Sequence, residues 1–149
     1  MGISSHGSSI LVFFFLFSML VSKGFSLFDP TTVQVQNDIV GDQVVLKIHC
    51  KSLDDDLGEH VLNFGEEWHW QFRVGFGTTY FSCDYKWYHN KDQRYYEGSH
   101  EVYKASFSGF KAKYYVICHS KCVWSARSDG LYLYRRDKGL WERRYVWDP

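Results

Sequence analysis

Along residues 44–50 the chain reads Val-Val-Leu-Lys-Ile-His-Cys, so Val44, Leu46, Ile48 and Cys50 fall on one side of an extended backbone and Val45, Lys47 and His49 on the other. One apolar face and one mixed face predict a half-buried strand. The same period of two recurs where Trp68, Trp70, Phe72 and Val74 alternate with His69, Gln71 and Arg73, which predicts a strand with an aromatic core face and a solvated outer face. Val33-Gln-Val-Gln lies ahead of the Val44–Cys50 strand across Asn37 to Gln43, where Asn, Asp and Gly41 suit a turn, and the two are expected to form a hairpin. After Gly75-Phe-Gly77 the stretch Thr79 to Tyr85 is again strand-like, whereas Lys86 to Gly98 is polar enough to be a surface loop. Between His100 and Lys113, Glu-Val-Tyr favours a strand and Ser106 to Gly109 interrupts it. Tyr114 to Cys118 reads as strand. Val123 to Arg127, Leu131 to Arg135 and Trp141 to Val146, separated by Ser-Asp-Gly130 and Asp137-Lys-Gly139, read as a meander. No stretch has sustained helical periodicity, and short strands between turns predict an all-β fold, a small antiparallel β-sandwich.

The N-terminus departs from this pattern. Ile10 to Val21 is almost unbroken apolar sequence followed by the small residues Ser22, Gly24 and Ser26, which reads as a signal peptide over residues 1–26 and leaves 27–149 as one domain. As a helix the apolar run would rise only about 18 Å, short of a hydrocarbon core of roughly 30 Å, so a membrane anchor is disfavoured. With Lys23 removed the net charge is −1, and no basic excess remains to attract nucleic acid or an anionic membrane. Aromatics make up 19% of the chain, including six Trp and eleven Tyr, which suits a small sheet protein that needs large side chains to fill a core. No glycosylation sequon occurs at Asn37, Asn63 or Asn90.

The cysteines Cys50, Cys83, Cys118 and Cys122 all lie in the mature part, and an even count in a small exported chain reads as a disulfide framework. If Cys118 to Cys122 is extended, its ends are about 13 Å apart, beyond the roughly 7 Å that a disulfide tolerates. These two are therefore expected not to bond to each other. Cys50 with Cys122 and Cys83 with Cys118 is slightly preferred over Cys50 with Cys118 and Cys83 with Cys122. Zinc is disfavoured because no second closely spaced pair accompanies Cys118 and Cys122.

His49, His60, His69, His89, His100 and His119 sit in no recognisable catalytic frame and are expected to be outward strand residues. Asp54, Asp55 and Asp56, closed by Leu57 and Gly58, lack the alternate spacing and terminal glutamate of a calcium loop and read as a solvated turn. Glu66-Glu67 reads as hairpin surface. No metal, cofactor or catalytic residue is expected, and no enzymatic activity.

An ordered series then identifies a resemblance. Val33-Gln-Val-Gln-Asn37, Leu-Lys-Ile-His-Cys50 leading into Ser52-Leu-Asp-Asp-Asp-Leu-Gly58, Trp68-His-Trp-Gln-Phe72 and Thr79-Tyr-Phe-Ser-Cys83 are followed by Glu101-Val-Tyr103, Val116-Ile-Cys118, Cys122-Val-Trp124 and Asp129-Gly-Leu-Tyr132. Over essentially the whole mature part the chain resembles the plant self-incompatibility S-proteins and their homologues, departing from the usual pattern at Ser82 and Leu53. The resemblance implies a secreted β-sandwich with two disulfides and, in the founding members, a ligand read by a plasma-membrane receptor on another cell. A secreted, extracellular, monomeric recognition ligand is thus the leading reading, with no insertion into the membrane after signal removal. A defence or toxin-like protein is the first alternative, disfavoured by the charge balance and the lack of a basic amphipathic helix. A hydrolase or nuclease is the second, and would require histidines or carboxylates to converge in a cleft. For a ligand, hydrophilic loops carry recognition. His89, Asn90, Lys91, Asp92, Gln93 and Arg94 are the expected partner-choosing stretch, and Asp54 to Asp56 with Gly58 mainly shape a turn.

Overall fold

The structure, a computed structural model, describes residues 10–12, 14, 30–75, 77–106 and 113–149. Apart from those first four positions, the expected signal segment lies outside the described residues. Among the described residues from 30 onward, nine strands and one short helix follow in the order β1 (Thr31–Asn37), β2 (Leu46–Ser52), β3 (Asp56–Leu62), β4 (Glu67–Phe72), β5 (Thr78–His89), β6 (Arg94–Ser106), α1 (Lys113–Cys118), β7 (Lys121–Arg127), β8 (Gly130–Arg135) and β9 (Leu140–Tyr145). One sheet has the order β4-β1-β7-β8-β9 and the other β3-β2-β5-β6. The fold is all-β, and every pairing is antiparallel except that of β1 with β7.

The period of two sets what faces inward. Val33 and Val35 of β1, Trp124 and Ala126 of β7, and Leu131 and Leu133 of β8 meet Leu46, Ile48 and Cys50 of β2 and Cys83, Tyr85 and Trp87 of β5 in one core. β1 and β2 do not form the expected hairpin. Each has one apolar buried face, and residues 38–45 carry the chain from one sheet to the other so that the two faces meet across the core. Asn37, fully buried, holds this crossing: its Nδ2 donates to Val44 O at 3.2 Å and to Leu62 O at 2.9 Å, and its Oδ1 accepts from Ile39 N at 3.1 Å. A buried side chain that satisfies carbonyls on two other segments ties the sheets together, because each carbonyl would otherwise be left desolvated and unpaired.

Lys86 to Gly98 is not a loop. β5 and β6 stay paired from Thr78↔Ser106 out to His89↔Arg94, because Trp87 and Tyr96 continue the inward alternation and stack at 4.9 Å. Tyr114 to Cys118 is likewise not a strand. Tyr114, Ile117 and Cys118 are buried at i, i+3 and i+4, the spacing of a helical face, and His119 ends the turn with a φ of 56°. This overturns the expected disulfide pairing. The helical turn brings Cys118 and Cys122 to a Cα separation of 5.0 Å, and they bond to each other. Cys50 and Cys83 stand directly opposite on β2 and β5, 4.0 Å apart at Cα, and form the second bridge.

Gly130 is required where β8 begins: a Cβ there would lie 2.2 Å from the Tyr145 carbonyl oxygen. Trp68, Trp70 and Phe72, expected in the core, are half-buried and pack against it from the sheet edge, while His69, Gln71 and Arg73 are exposed as expected.

Candidate partner-binding surface

The expected partner-choosing stretch is the tip of the β5–β6 hairpin. His89 and Arg94 close the ladder and residues 90–93 turn between them, with Gln93 at a φ of 52°. The tip is braced from within. Asp92 N donates to His89 Nδ1 at 3.1 Å, Tyr96 OH donates to Asp92 Oδ2 at 2.7 Å, and Asn90 Nδ2 donates to Asp42 O at 2.7 Å. Asp92, beside the phenol, raises the Tyr96 pKa. Lys91, Gln93 and Arg94 remain exposed, and no described ion pair involves Lys91 or Arg94.

The acidic loop is built differently. Ser52 Oγ accepts from Asp55 N at 2.9 Å and Asp54 N at 3.3 Å, and Ser52 N donates to Asp55 O at 2.8 Å. Asp56 Oδ1 accepts from Gly58 N at 2.8 Å and lies 2.5 Å from His49 Nε2. The Gly58 amide, followed by His49, holds the Asp56 carboxyl below the usual carboxylate range. Gly58 itself has a φ of 78°, where a side chain would be strained. Among the described residues no hydrogen bond or ion pair reaches the carboxylates of Asp54 or Asp55. Turn geometry thus rests on Ser52, Asp56 and Gly58. Asp56→Ala is expected to lower the melting temperature, followed by circular dichroism, more than Asp54→Ala or Asp55→Ala.

These two loops cannot form one site. Leu46 pairs with Trp87 near the hairpin tip and Ser52 with Phe81 near the acidic loop, so a strand length of roughly 20 Å separates them. The crossing segment 38–45 touches the tip through the Asn90–Asp42 hydrogen bond, and the β3–β4 turn lies at the same end of the sheet, since Leu46 pairs with Trp87 on one side and with Leu62 on the other. Both are fastened to Asn37, whose carbonyl also accepts from Gly65 N at 2.8 Å and whose amide donates to Glu66 O at 2.9 Å. They display Val40, 76% exposed, and Phe64, 59% exposed. Neither residue stood out in the sequence. The available signals were an aromatic set between Asn63 and Gly65 in a turn, and two adjacent aliphatics, Ile39 and Val40, in a non-strand segment that can bury only one of them.

The histidines do not converge. His49 is on the outer face of β2, His60 stacks on Trp68 at 3.7 Å, His69 is exposed on β4, His89 braces the tip and His119 ends α1. His60 and His100 are thus not outward as expected. Among the described residues no group of three or more His, Cys, Asp or Glu side chains could hold a metal ion. A depression of about 450 Å³ lies over the outer face of β2, β5 and β6. Lys47, Lys86, His49, Glu59, Asp84 and Glu97 line it with intermixed charge, and Ser99 Oγ donates to Asp84 Oδ1 at 2.6 Å there, with no hydrogen bond from a histidine to that hydroxyl among the described residues.

His100 is a structural group. Its ring stacks on Tyr145 at 4.1 Å, and its Nε2 occupies the space over Gly98, where a Cβ would sit 2.4 Å away. Burial lowers its pKa, opposed by the charge of Asp148. A folded pKa below the ordinary value of about 6.5 means that the neutral ring is favoured in the fold. Its stability contribution is therefore present above about pH 6.5 and is lost as pH falls through that value toward the folded pKa. The carboxyls of Asp129, Asp137 and Glu142, held below their usual range chiefly by hydrogen bonds from Tyr132, Arg135 and Arg144 respectively, add a second decline below about pH 4.5. Thermal melts between about pH 7.5 and 5 should show the first decline in the native chain and a flatter profile in His100→Gln.

The family model described as plant self-incompatibility protein S1 matches residues 32–147. S-protein homolog 24 of Arabidopsis thaliana is 38% identical over 109 residues, covering 72% of this chain and 62% of its own length. S-protein homolog 29 of Arabidopsis thaliana is 32% identical over 141 residues, 94% of this chain and 92% of that protein. Self-incompatibility protein S1 of Papaver rhoeas is 29% identical over 130 residues, 85% of this chain and 84% of that protein. No solved structure gives a significant match. With the ordered motifs, the two disulfides and the two-sheet fold on this footing, the chain belongs to the plant self-incompatibility S1 protein family.

Proposed function

We propose that the protein is a secreted, non-enzymatic recognition ligand that binds a plasma-membrane receptor on another plant cell through one pole of the sandwich. The observation that carries this reading is the convergence at that pole of the hairpin tip, the crossing segment and the β3–β4 turn, with Lys91, Arg94, Val40 and Phe64 displayed on a frame held by Asn37. Exposed aromatic and aliphatic side chains beside cations, on loops braced by internal hydrogen bonds, are the ingredients of a pre-organised contact surface. The relative named self-incompatibility protein S1 supports a role in recognition between cells.

The test is a charge reversal at the tip. Lys91→Glu with Arg94→Glu should leave the near-ultraviolet spectrum and melting temperature unchanged, and should weaken binding to plasma-membrane preparations about tenfold or more. Unchanged binding by the folded double variant would remove the hairpin tip from the contact.

A further inference from the structure

The tyrosines differ in whether a second tyrosine and a reagent from solvent can both reach them. Of the eleven, Tyr88, Tyr95 and Tyr115 are the exposed ones, at 39%, 56% and 61%. Tyr115 lies on α1 with its ring 6.0 Å from that of His119. Tyr88 and Tyr95 instead stand directly opposite each other on β5 and β6, with ring centroids 5.0 Å apart and 61° between the ring planes. Tyr103 and Tyr114 also meet, at 5.5 Å, but both are buried in the core. The phenols of Tyr96, Tyr132 and Tyr145 each donate to an acceptor, respectively Asp92, Asp129 and the Glu101 carbonyl. Among the described residues no hydrogen bond reaches the hydroxyl of Tyr88 or Tyr95.

The hairpin itself builds this pair. Trp87 and Tyr96 stack on the inner side, so alternation puts the next pair, Tyr88 and Tyr95, on the outer face. Directly opposite side chains have Cβ atoms about 4.5–5.5 Å apart, and the ladder on either side holds them there. Lys86 sets its Nζ 4.7 Å over the Tyr95 ring. A cation in that position covers a ring face and leaves the ring edge, where the carbon ortho to the hydroxyl lies. Exposed side chains move between rotamers in picoseconds to nanoseconds, which carries the two ring edges past each other many times within the life of a radical.

We propose that Tyr88 and Tyr95 form an oxidative cross-linking site, at which a haem peroxidase using hydrogen peroxide joins the two rings within one chain. Each phenol gives up one electron and one proton and becomes a neutral phenoxyl radical. Hydrogen peroxide takes the two electrons and two protons and leaves as two waters. The radicals couple through a carbon–carbon bond between the positions ortho to the hydroxyls, and the hydrogen on each of those carbons then moves to oxygen and restores both phenols. The bond encloses residues 89–94, so it clamps the base of the hairpin tip that is already braced by Asp92, Tyr96 and Asn90. The cross-link stands whether or not that tip meets a receptor.

The experiment treats the mature, disulfide-bonded chain with a haem peroxidase and hydrogen peroxide, under conditions that couple N-acetyltyrosine and at a dilution that suppresses encounters between molecules. The monomer should acquire the fluorescence of a biphenol and lose the mass of two hydrogen atoms, and peptide mapping should join Tyr88 to Tyr95. Tyr88→Phe and Tyr95→Phe should each abolish both signals in the monomer and keep the circular dichroism of the native chain, because phenylalanine retains the ring and lacks only the hydroxyl. Tyr115→Phe should leave both signals as they are. A monomer without the bond, fluorescence confined to covalent dimers, a bond mapped between other tyrosines, or a signal that persists in Tyr88→Phe would each overturn the proposal.

Discussion

Trp124→Ala is expected to lower the unfolding free energy by about 3 to 5 kcal/mol, measured by urea denaturation of the oxidised chain. Trp124 is fully buried at the middle of β7, its indole Nε1 donates to Val102 O at 3.1 Å, and Tyr145 stacks on it at 6.0 Å between centroids. Truncation removes the contacts on both sides and leaves the Val102 carbonyl buried without its donor, and the two losses add. Against the roughly 5 to 15 kcal/mol that holds a domain of this kind, such a loss puts secretion of the folded chain at risk. Trp70→Ala should cost less. Its ring packs on Trp68 and Phe81 from the sheet edge and is half-exposed, so part of the burial term is absent. An equal or larger loss for Trp70 would place the centre of the core at β4 and contradict the packing described above.

Removing the Cys50–Cys83 bridge should be the second large effect, and the two disulfides should differ. The bridge between β2 and β5 spans a sequence separation of 33 residues, the other only 4. Restriction of the unfolded chain grows with the closed loop, which gives roughly 4 kcal/mol for the longer and roughly 2 kcal/mol for the shorter. Paired replacement of Cys50 and Cys83 by serine should therefore lower the denaturation midpoint markedly more than the same change at Cys118 and Cys122. Peptide mapping of the native chain should recover Cys118 linked to Cys122, and recovery of either long-range alternative would contradict the structure.

What could be read from the residues alone follows a physical division. β2, β7, β8 and the aromatic face of β4 were legible because each shows a period of two over five or more residues, and one buried face is enough to fix which side is inward. The partition of strands between sheets was not. Val33 and Leu46 look like hairpin neighbours, and only the burial of both faces against each other, pinned by Asn37, puts β1 and β2 in opposite sheets. α1 was missed because six residues make less than two turns, too short for periodicity to separate helix from strand. An extended backbone over that segment would keep Cys118 and Cys122 apart, whereas the helical turn lets them bond. The outer ends of β5 and β6 were hidden by polar outward residues, although Trp87 and Tyr96 carried the inward signal. At the candidate site the hairpin tip was legible as a polar turn. Val40 and Phe64 were not, since their prominence depends on a crossing and a turn brought together by tertiary contacts.

Site-directed photo-crosslinking on intact plant cells tests the proposal that one pole of the sandwich meets a receptor. A crosslinking side chain placed at position 64 or 91 should capture one and the same plasma-membrane protein, saturably and in competition with unlabelled native chain. The same group at position 53 or 54, at the opposite end of the sheet, should capture none. Capture from 53 or 54 with none from 64 and 91 would contradict the account and move recognition to the acidic loop.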